Sequence, residues 1–429
     1  MRSIWQGSTT MPSFPALDGD KKCDVLIIGG GIAGILCAYM LEKQGIDYIL
    51  VESDVICNKT TANTTAKITS LHGFIYGRLL KEFNRDIAKL YYEANEDAIS
   101  KYKKLCKNID CDFVECDSYI YTFDNKNKLE NEFNALEKIG IDCELVSCPE
   151  LPFDTLGAIK FKNQASFNPL KFLKEISKDL NIYENTHIDK IKGTSAYTEQ
   201  YKIEAKKIVF ATHFPFMDKH GLYFAKMYQE KSYALALENT KKFDGMYIDD
   251  KGILSLRSYG DYLILGGQKH RTGKKCDGFA KLEELANKYF PGNKIKCKWA
   301  TEDCITLDGI PYIGKYYGGN ENIYVITGFN KWGMTSSMVG AELICDLISG
   351  KENKYEKLFS PQRSILKKQL IVNMGEALVG ILNFSNKRCT HLGCRLKWNK
   401  NEKIWECPCH GSKFDSDGEV LNGPANKNL

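Results

Sequence analysis

The chain has 429 residues, of which 43% are hydrophobic and 26% charged, a composition typical of folded proteins with two or three domains. Its net charge of +5 is small for this length, and no basic stripe or RNA-binding motif accompanies it, which argues against nucleic acid as a partner. The first residues lack the apolar core of a signal peptide and no lipid-like run follows, so we predict a cytoplasmic protein without a membrane span.

Residues 23–53 have the pattern of a nucleotide-binding unit. A buried strand over 25–28 leads into a glycine-rich turn, a helix runs to about residue 44, and a second strand covers 48–51. Glu52 follows at the tip of the second strand, where its carboxylate can accept hydrogen bonds from a ribose. A glycine-rich turn alone occurs in many α/β proteins, but the complete order of strand, glycines, helix, strand and acid predicts dinucleotide binding.

The glycines of this unit are Gly29, Gly31 and Gly34. They suit a tight turn, a close approach of backbone to a pyrophosphate, and close packing of the helix on the strand. The helix N-terminus offers free N–H groups and a positive dipole end to the phosphates. The acid favours an unphosphorylated ribose, meaning FAD or NAD, and the position near the start of the chain favours FAD.

Three further segments give the chain its family likeness. They are "TTANTTAKITSLHG" (60–73), "KKIVFATHFPF" (206–216), and "TLDGIPYIG" with "NIYVITGFNKWGMTSSMVGAELICDLI" (306–314 and 322–348). With the glycine unit, they resemble the FAD-dependent oxidoreductases of the D-amino-acid oxidase, glycine oxidase and sarcosine oxidase type, over about residues 20–360. The resemblance implies an α/β fold, with a Rossmann-like FAD-binding domain and an inserted α+β substrate domain.

The resemblance also implies which residues contact FAD. It places a hydroxyl-rich loop along the pyrophosphate and the flavin edge. It also implies a helix that begins near Thr335 and points its N-terminus at the flavin, where the dipole stabilises the reduced state. Beyond the glycines and Glu52, the implied FAD-binding residues are Thr60, Thr61, Thr65, Ala66, Lys67, Ile188, Gly328, Gly333, Met334 and Thr335. Without the resemblance, the loop around Lys67 would be interpreted as a polar surface segment.

The intervening segments are predicted to form the substrate domain. Residues 76–108 have helical spacing, and 221–299 contain short alternating runs typical of strands in a sheet that covers the flavin. We therefore predict an FAD-binding domain over 20–82, 149–214 and 300–360, and a substrate domain over 83–148 and 215–299. Four tyrosines of the strands are expected in the core or on a sheet face rather than at the substrate: Tyr228, Tyr233, Tyr247 and Tyr259.

The chain departs from the family where amino-acid oxidases carry an arginine that binds the substrate carboxylate. Here "WATEDCITLDG" puts Glu302 and Asp303 nearest that place. Either another residue such as Arg257 binds the carboxylate, or the substrate is not a simple amino acid and is cationic. The alternative is that the two acids form a solvated turn. No catalytic side chain is predicted, and His213 and His270, near the expected flavin, are interpreted as structural.

Two loops near the end of the sequence repeat a cysteine–histidine pair. The spacing is Cys389-x-His391, then fifteen residues, then Cys407-x-x-His410. Zinc sites are normally built from closely spaced ligand pairs, and a lone Cys-x-His is a poor tetrahedral chelate. One cysteine and one histidine from each loop suit a binuclear cluster with both cysteines on one iron and both histidines on the other. This spacing predicts a Rieske [2Fe-2S] centre.

The segments "CTHLGC" and "CPCHGS" resemble the Rieske proteins of bc complexes. In that type the second cysteines of the loops form a disulfide, which implies a Cys394–Cys409 bridge here. The likeness also implies Ser412 as a donor to a bridging sulfide, Phe414 in place of a tyrosine, and a covering proline loop at 423–425. We expect a small all-β Rieske domain over 368–429 and a redox potential above plant-type ferredoxins but below the highest Rieske values. The other twelve of the sixteen cysteines are scattered and are expected to be thiols.

The two cofactors together predict a function. A flavin takes up two electrons at once, and a Rieske centre carries one. We predict an FAD-dependent dehydrogenase that oxidises an amine or amino-acid-like small molecule and passes electrons one at a time through the cluster to an external acceptor. Two alternatives are a reductase in which the cluster feeds the flavin, and a redox-sensing or electron-carrier protein without its own small-molecule substrate.

Overall fold

The computed structural model describes residues 2–148, 150–217, 221–274, 276–316, 321–382, 387–400 and 402–429, with the side chains of 380–382 excepted. Among them the helices are α1 (Ile4–Ser8), α2 (Ile32–Lys43), α3 (Tyr76–Glu82), α4 (Arg85–Cys106), α5 (Lys126–Ile139), α6 (Pro169–Ser177), α7 (Tyr223–Lys226), α8 (Gly278–Tyr289), α9 (Gly333–Ile348), α10 (Glu356–Phe359) and α11 (Lys368–Leu382). A 3₁₀-helix covers Thr60–Asn63. None of these helices has the length and apolar character that crossing a bilayer requires.

The first sheet is largely parallel. Its strands are β1 (Lys21–Ile28), β2 (Tyr48–Val51), β7 (Ile182–Tyr183), β8 (Lys190–Lys192), β9 (Ser195–Tyr197), β10 (Lys202–Phe210), β16 (Tyr312–Lys315) and β17 (Ile323–Thr327). The order β16-β17-β10-β1-β2-β7 is parallel except for β16, and the hairpin β8–β9 pairs with β10. The carboxyl ends of β1, β2, β10 and β17 therefore meet at one edge, the place where such sheets bind ligands.

The strand–helix–strand unit predicted over 23–53 is confirmed. Every residue of β2 and the last four of β1 are buried, as expected for parallel strands covered on both faces. Helix α2 begins at Ile32 directly after the glycines and packs against α9. The predicted returning strand is β10, and the predicted last strand and helix are β17 and α9.

The second sheet is mainly antiparallel. Its strands are β3 (Lys67–Ile68), β4 (Val114–Tyr121), β5 (Glu144–Val146), β6 (Ala158–Ser166), β11 (Met227–Glu238), β12 (Met246–Asp249), β13 (Leu254–Tyr259), β14 (Tyr262–Arg271) and β15 (Lys294–Thr306). They follow the order β15-β11-β14-β13-β12-β4-β6-β3, with β5 on β6. The predicted helix over 76–108 is present as α3 and α4, which Asn84 separates by capping the second.

The domain boundaries stay a prediction, and two strands bear on them. Strand β6 lies in the range assigned to the FAD-binding domain, but it pairs with β4 in the second sheet. Strand β15 continues through the boundary at 299/300 because it pairs with β11 along its whole length. These two strand pairings join segments that the sequence pattern assigned to different domains.

The third sheet, β18 (Lys397–Asn399), β19 (Ile404–Glu406), β20 (Lys413–Phe414) and β21 (Val420–Asn422), is small and antiparallel. It confirms the predicted all-β character of the last domain. The first fifteen residues of the range 368–429 differ, since they form α11. Several apolar side chains of α11 are exposed, while Asn373 is buried and donates to the carbonyl of Ala225 (3.1 Å).

Candidate functional site

A cavity of about 1280 Å³ lies where the carboxyl ends of β1, β2, β10 and β17 face the second sheet. Ordinary small-molecule sites occupy roughly 300–1,000 Å³, so this space is large enough for an extended cofactor and a substrate. The predicted FAD-binding residues that line it are Gly29, Gly31, Glu52, Thr60, Thr61, Thr65, Lys67, Ile188, Gly328, Gly333 and Met334. The predicted residues Gly34, Ala66 and Thr335 are not in its lining.

At the start of α2 the cavity wall consists of glycine backbone without side chains. Gly29 has φ +112°, and a Cβ there would lie 2.6 Å from the carbonyl oxygen of Ala211. A Cβ on Gly34 would lie 1.9 Å from the carbonyl oxygen of Gly29. The absence of a side chain at Gly34 therefore lets α2 pack closely against the turn that follows β1. This end of the cavity fits a pyrophosphate, because a side-chain-free turn meets a helix N-terminus there.

Glu52 is fixed at the tip of β2. The Gly30 N–H donates to its Oε2 (2.7 Å) and the Asp54 N–H donates to its Oε1 (3.0 Å). The Ile32 N–H, at the first turn of α2, donates to the hydroxyl of Thr61 (3.0 Å). The acid and the hydroxyl-rich loop are therefore both tied to the glycine turn, as a shared nucleotide site requires.

The loop over 60–67 is held by three side chains from distant parts of the chain. Trp5 Nε1 donates to the carbonyl of Thr64 (2.7 Å), and Trp299 Nε1 donates to the carbonyl of Asn63 (2.9 Å). Arg257 Nε donates to the carbonyl of Thr65 (2.6 Å). Three successive carbonyls are thus fixed by buried donors, which orders the loop before any ligand binds.

Arg257 does not have the suggested role of a carboxylate anchor. It is buried, it is not in the cavity lining, and its guanidinium also donates to the carbonyl of Phe167 (3.1 Å). Its ring neighbours are Trp5 and Tyr259. The sequence could not reveal this role, because the carbonyls of Thr65 and Phe167 lie 192 and 90 residues away in the chain.

Lys67 reaches into the cavity between two hydroxyls. Its Nζ donates to Oγ1 of Thr65 (3.1 Å) and to Oγ of Ser255 (3.3 Å). Burial, together with the positive charge of Arg257, lowers the pKa of Lys67 to about 7. The charge of this lysine therefore changes near neutral pH.

Two histidines of the cavity wall were not singled out as site residues by the sequence. His72 bonds to the hydroxyl of Tyr91 (2.7 Å) and the carbonyl of Thr69 (2.6 Å), and its ring stacks on Trp332. Burial lowers the pKa of His72 to about 3, so it is neutral at physiological pH. His213 also lines the cavity, is buried, and has no partner for Nε2 among the described residues. His270 is outside the lining.

Thr335 contacts His72 on the side away from the cavity. Its hydroxyl lies 3.2 Å from Nε2 of His72 and 3.4 Å from the carbonyl oxygen of Thr69. Ala66 is fully buried, with φ +54° and its N–H bonded to the hydroxyl of Thr64 (3.0 Å). Both residues shape the cavity without bordering it.

Glu302 and Asp303 lie in β15, so the interpretation as a solvated turn is wrong. Successive strand residues point to opposite faces, and only Asp303 lines the cavity. There Lys331 Nζ lies 3.4 Å from Oε2 of Glu230 and 3.7 Å from Oδ2 of Asp303. Burial raises the pKa of Asp303 to about 6. Glu302 points instead toward the third sheet.

The four strand tyrosines divide equally. Tyr228 and Tyr233 line the cavity, so the expectation that they lie away from the substrate site is not met. Tyr247 stacks on Tyr119, and the hydroxyl of Tyr259 donates to Asp112 (2.8 Å), as core residues do. The sequence could not separate the two pairs. Residues on either face of a sheet recur with the same period of two, so the pattern does not show which face borders the cavity.

The predicted cluster residues come together beside the third sheet. The sulfurs of Cys394, Cys407 and Cys409 lie within 4.8 Å of one another, and the Cys389 side chain contacts that of Cys407. The rings of His391 and His410 lie 5.0 Å apart, nearly perpendicular. The predicted Cys394–Cys409 bridge is not formed in this structure, where both are free thiols, and it remains a prediction.

His410 has the protonation pattern of a metal ligand. Its Nε2 lies 2.9 Å from the carbonyl oxygen of Phe224, and because a carbonyl only accepts, this nitrogen carries the proton. Nδ1 is buried and has no hydrogen-bond partner among the described residues, so its lone pair is available. The carbonyl contact fixes ring and tautomer, as partners of ligating histidines do. The donor set fits a [2Fe-2S] cluster with cysteine and histidine ligands.

A largely buried cluster of five charged residues joins the third sheet to the second, and we call it the interface charge cluster: Lys231, Glu302, Glu402, Glu406 and Lys413. Nζ of Lys231 lies 3.0 Å from Oε1 of Glu406 and also pairs with Glu402. Lys413 pairs with Glu302. The side chain of Lys231 is 1% exposed, so its charge depends on these carboxylates.

The chain matches known protein families in two parts. Residues 24–347 match the family of FAD dependent oxidoreductases, and residues 352–429 match the Rieske [2Fe-2S] domain. YhfW of Bacillus subtilis (strain 168), whose name describes it as a Rieske 2Fe-2S iron-sulfur protein, is 38% identical over 492 positions that cover 100% of this chain and 96% of that one.

Solved structures share the fold of the larger part. Glycine oxidase from Geobacillus kaustophilus superimposes with a TM-score of 0.68 at 17% identity, covering 80% of this chain and 100% of that one. An L-amino acid deaminase from Proteus vulgaris gives 0.66 at 19% identity, covering 84% and 98%.

Proposed function

Because the chain belongs to the family of FAD-dependent oxidoreductases and carries a Rieske [2Fe-2S] domain, we propose that it is a dehydrogenase. Its substrate would be an amine or amino-acid-like small molecule. The electrons would leave one at a time through the cluster to an external acceptor. FAD supplies two-electron chemistry at a C–N bond, and the cluster supplies one-electron transfer.

One observation carries this proposal. Phe214 lines the cofactor cavity, and its ring lies 6.2 Å from that of the cluster residue His410. The neighbouring His213 lines the same cavity. A single short loop after β10 therefore lies between the cofactor cavity and the cluster residue His410, and this proximity supports electron exchange between the two cofactors within one chain.

The charges of the cavity support an amine or amino acid as the substrate. Glu230 and Asp303 both line the cavity beside Lys331, and its one positive charge leaves negative charge on these two carboxylates for a cationic amine. Arg78 lines the cavity and forms no ion pair within the described part of the chain, so with Arg257 excluded it is our candidate for binding a carboxylate. Gly309, with φ +72°, leaves the space against which this guanidinium packs. Glycine oxidase and L-amino acid deaminase, which share the fold, are named for amino-acid substrates.

Anaerobic stopped-flow mixing with amines and amino acids tests the order of electron transfer. Bleaching of the flavin before reduction of the cluster supports the proposal. Reduction of the cluster by an external donor before the flavin would establish the reductase instead. If no small molecule bleaches the flavin, the chain is a sensor or carrier. The cytoplasmic location also remains a prediction, which cell fractionation tests.

Replacing Lys67 with methionine is expected to lower the flavin midpoint potential at pH 6 but not at pH 8.5. Below its pKa of about 7 the lysine is positive, and a positive charge beside the flavin stabilises the negative reduced form. One charge contributes about 1–4 kcal/mol, or roughly 20–90 mV for a two-electron couple. Spectroelectrochemical titration at both pH values measures the difference.

The control is Lys59→Met, which removes an exposed lysine from the rim of the same cavity. Its midpoint potential should follow the wild type at both pH values. An equal fall in both variants, or a fall for Lys67→Met that is the same at pH 6 and pH 8.5, would contradict the assigned role.

A further inference from the structure

The Rieske domain forms one wall of the cofactor cavity. Eight of the nine residues in the segment 420–428 line this cavity, together with residues of the FAD-binding sheet. The segment includes β21 and the turn that follows it. A binding site for the flavin nucleotide thus includes residues outside the part of the chain that matches the FAD family.

The contact lies at the end of the cavity assigned to the ribose. Nδ2 of Asn426 donates to the carbonyl of Ile188 (3.2 Å), itself a buried residue of the lining. Two residues earlier, the Thr186 N–H donates to the carbonyl of Glu52 (2.8 Å). Asn426 therefore connects the Rieske domain to the backbone beside Glu52.

The same segment is bonded to both cluster loops. The Ala425 N–H donates to the hydroxyl of Ser412 (3.0 Å), two residues after His410. The Thr390 hydroxyl, between the two ligands of the first loop, donates to the carbonyl of Lys427 (2.6 Å). Three consecutive residues thus contact the cluster loops on one side and the nucleotide site on the other.

We propose that the segment 420–428 closes the FAD site at its adenosine end, so that bound FAD and a loaded cluster stabilise each other. The cluster fixes the two loops that position the segment, and the segment completes the surface that holds the nucleotide. A coupling of this kind is reciprocal. If the cluster increases the affinity for FAD by some factor, bound FAD increases the affinity for the cluster by the same factor.

The test uses the full-length protein with its cluster and the variant Asn426→Ala. We expect FAD to bind roughly fivefold more weakly, because one hydrogen bond of ordinary strength between the domains is lost. Equilibrium dialysis against FAD measures the affinity, and the EPR signal verifies that the cluster is intact. Ser416→Ala, an exposed change in the same domain outside the cavity, is the matched control and should bind FAD like the wild type.

The reciprocal arm measures iron release to a chelator. Saturating FAD should slow the release in the wild type and should slow it less in Asn426→Ala. An unchanged FAD affinity in Asn426→Ala, or iron release that is insensitive to FAD, overturns the proposal. Neither readout requires turnover, so the result stands apart from the proposed dehydrogenase reaction.

Discussion

Replacing Cys407 with serine is expected to remove the [2Fe-2S] cluster and to unfold the Rieske domain locally. Cys407 is fully buried at the centre of the sulfur group, and a serine hydroxyl is a poor substitute for thiolate at iron. The third sheet has strands of two or three residues and a core made mostly of the cluster cysteines themselves. Without metal, so small a core cannot keep the domain folded.

The expected readouts separate the two redox sites. Visible absorption and EPR should show no cluster, and limited proteolysis should cut within 387–429. Turnover with an external one-electron acceptor should fall at least about 100-fold. Replacing a residue that only hydrogen-bonds to a metal ligand can already lower activity by up to that factor, and Cys407 is itself a predicted ligand. Saturated with FAD, the variant should still bleach its flavin in a single turnover. Cys143→Ser, which removes a free thiol in another domain, should resemble the wild type, and a cluster spectrum in Cys407→Ser would refute the ligand assignment.

Replacing Lys231 with methionine is expected to cost about 3–5 kcal/mol of the free energy of unfolding, because it removes the central cation of the interface charge cluster. The buried Glu406 and the partly buried Glu402 would then lack their main partner. Urea unfolding followed by circular dichroism measures the loss. Lys242→Met makes the same change in the exposed pair with Asp261 and should cost less than about 1 kcal/mol. Equal effects would show that the cluster does not stabilise the interface.

The interface charge cluster also gives this stability a pH dependence. Burial raises the pKa of Glu302, but the attraction of Lys413 and Lys231 outweighs it and holds the pKa below its ordinary value. A carboxyl with a depressed folded-state pKa contributes stability above its unfolded pKa. That contribution is lost as the pH falls through the folded pKa. The free energy of unfolding should therefore decrease on acidification, and it should do so less steeply in Glu302→Gln.

The parts of the site that sequence predicts are those built from neighbouring residues. The glycine turn, Glu52 and the two cluster loops each depend on spacing over a few positions. The structure places Gly29, Gly31 and Glu52 on one cavity and the cysteines of the two loops beside one another, and their ligand roles remain predictions. Arg257 and Glu302 could not be interpreted correctly, because the partners that define their roles are remote in the chain. The carbonyls of Thr65 and Phe167 lie 192 and 90 residues from Arg257, and Lys413 lies 111 residues from Glu302. Helix α11 was missed because an all-β domain was extended over a segment whose own apolar spacing is helical.

The three hydrogen bonds that hold the loop over 60–67 bear on the order in which the protein folds during synthesis. Their donors are Trp5, Arg257 and Trp299, so the loop cannot take its final shape until the ribosome has released the chain beyond residue 299. Domains generally fold as they emerge, in order from the first residue. We therefore expect capture of the flavin nucleotide to be a late event in biosynthesis, after most of the chain has been synthesised.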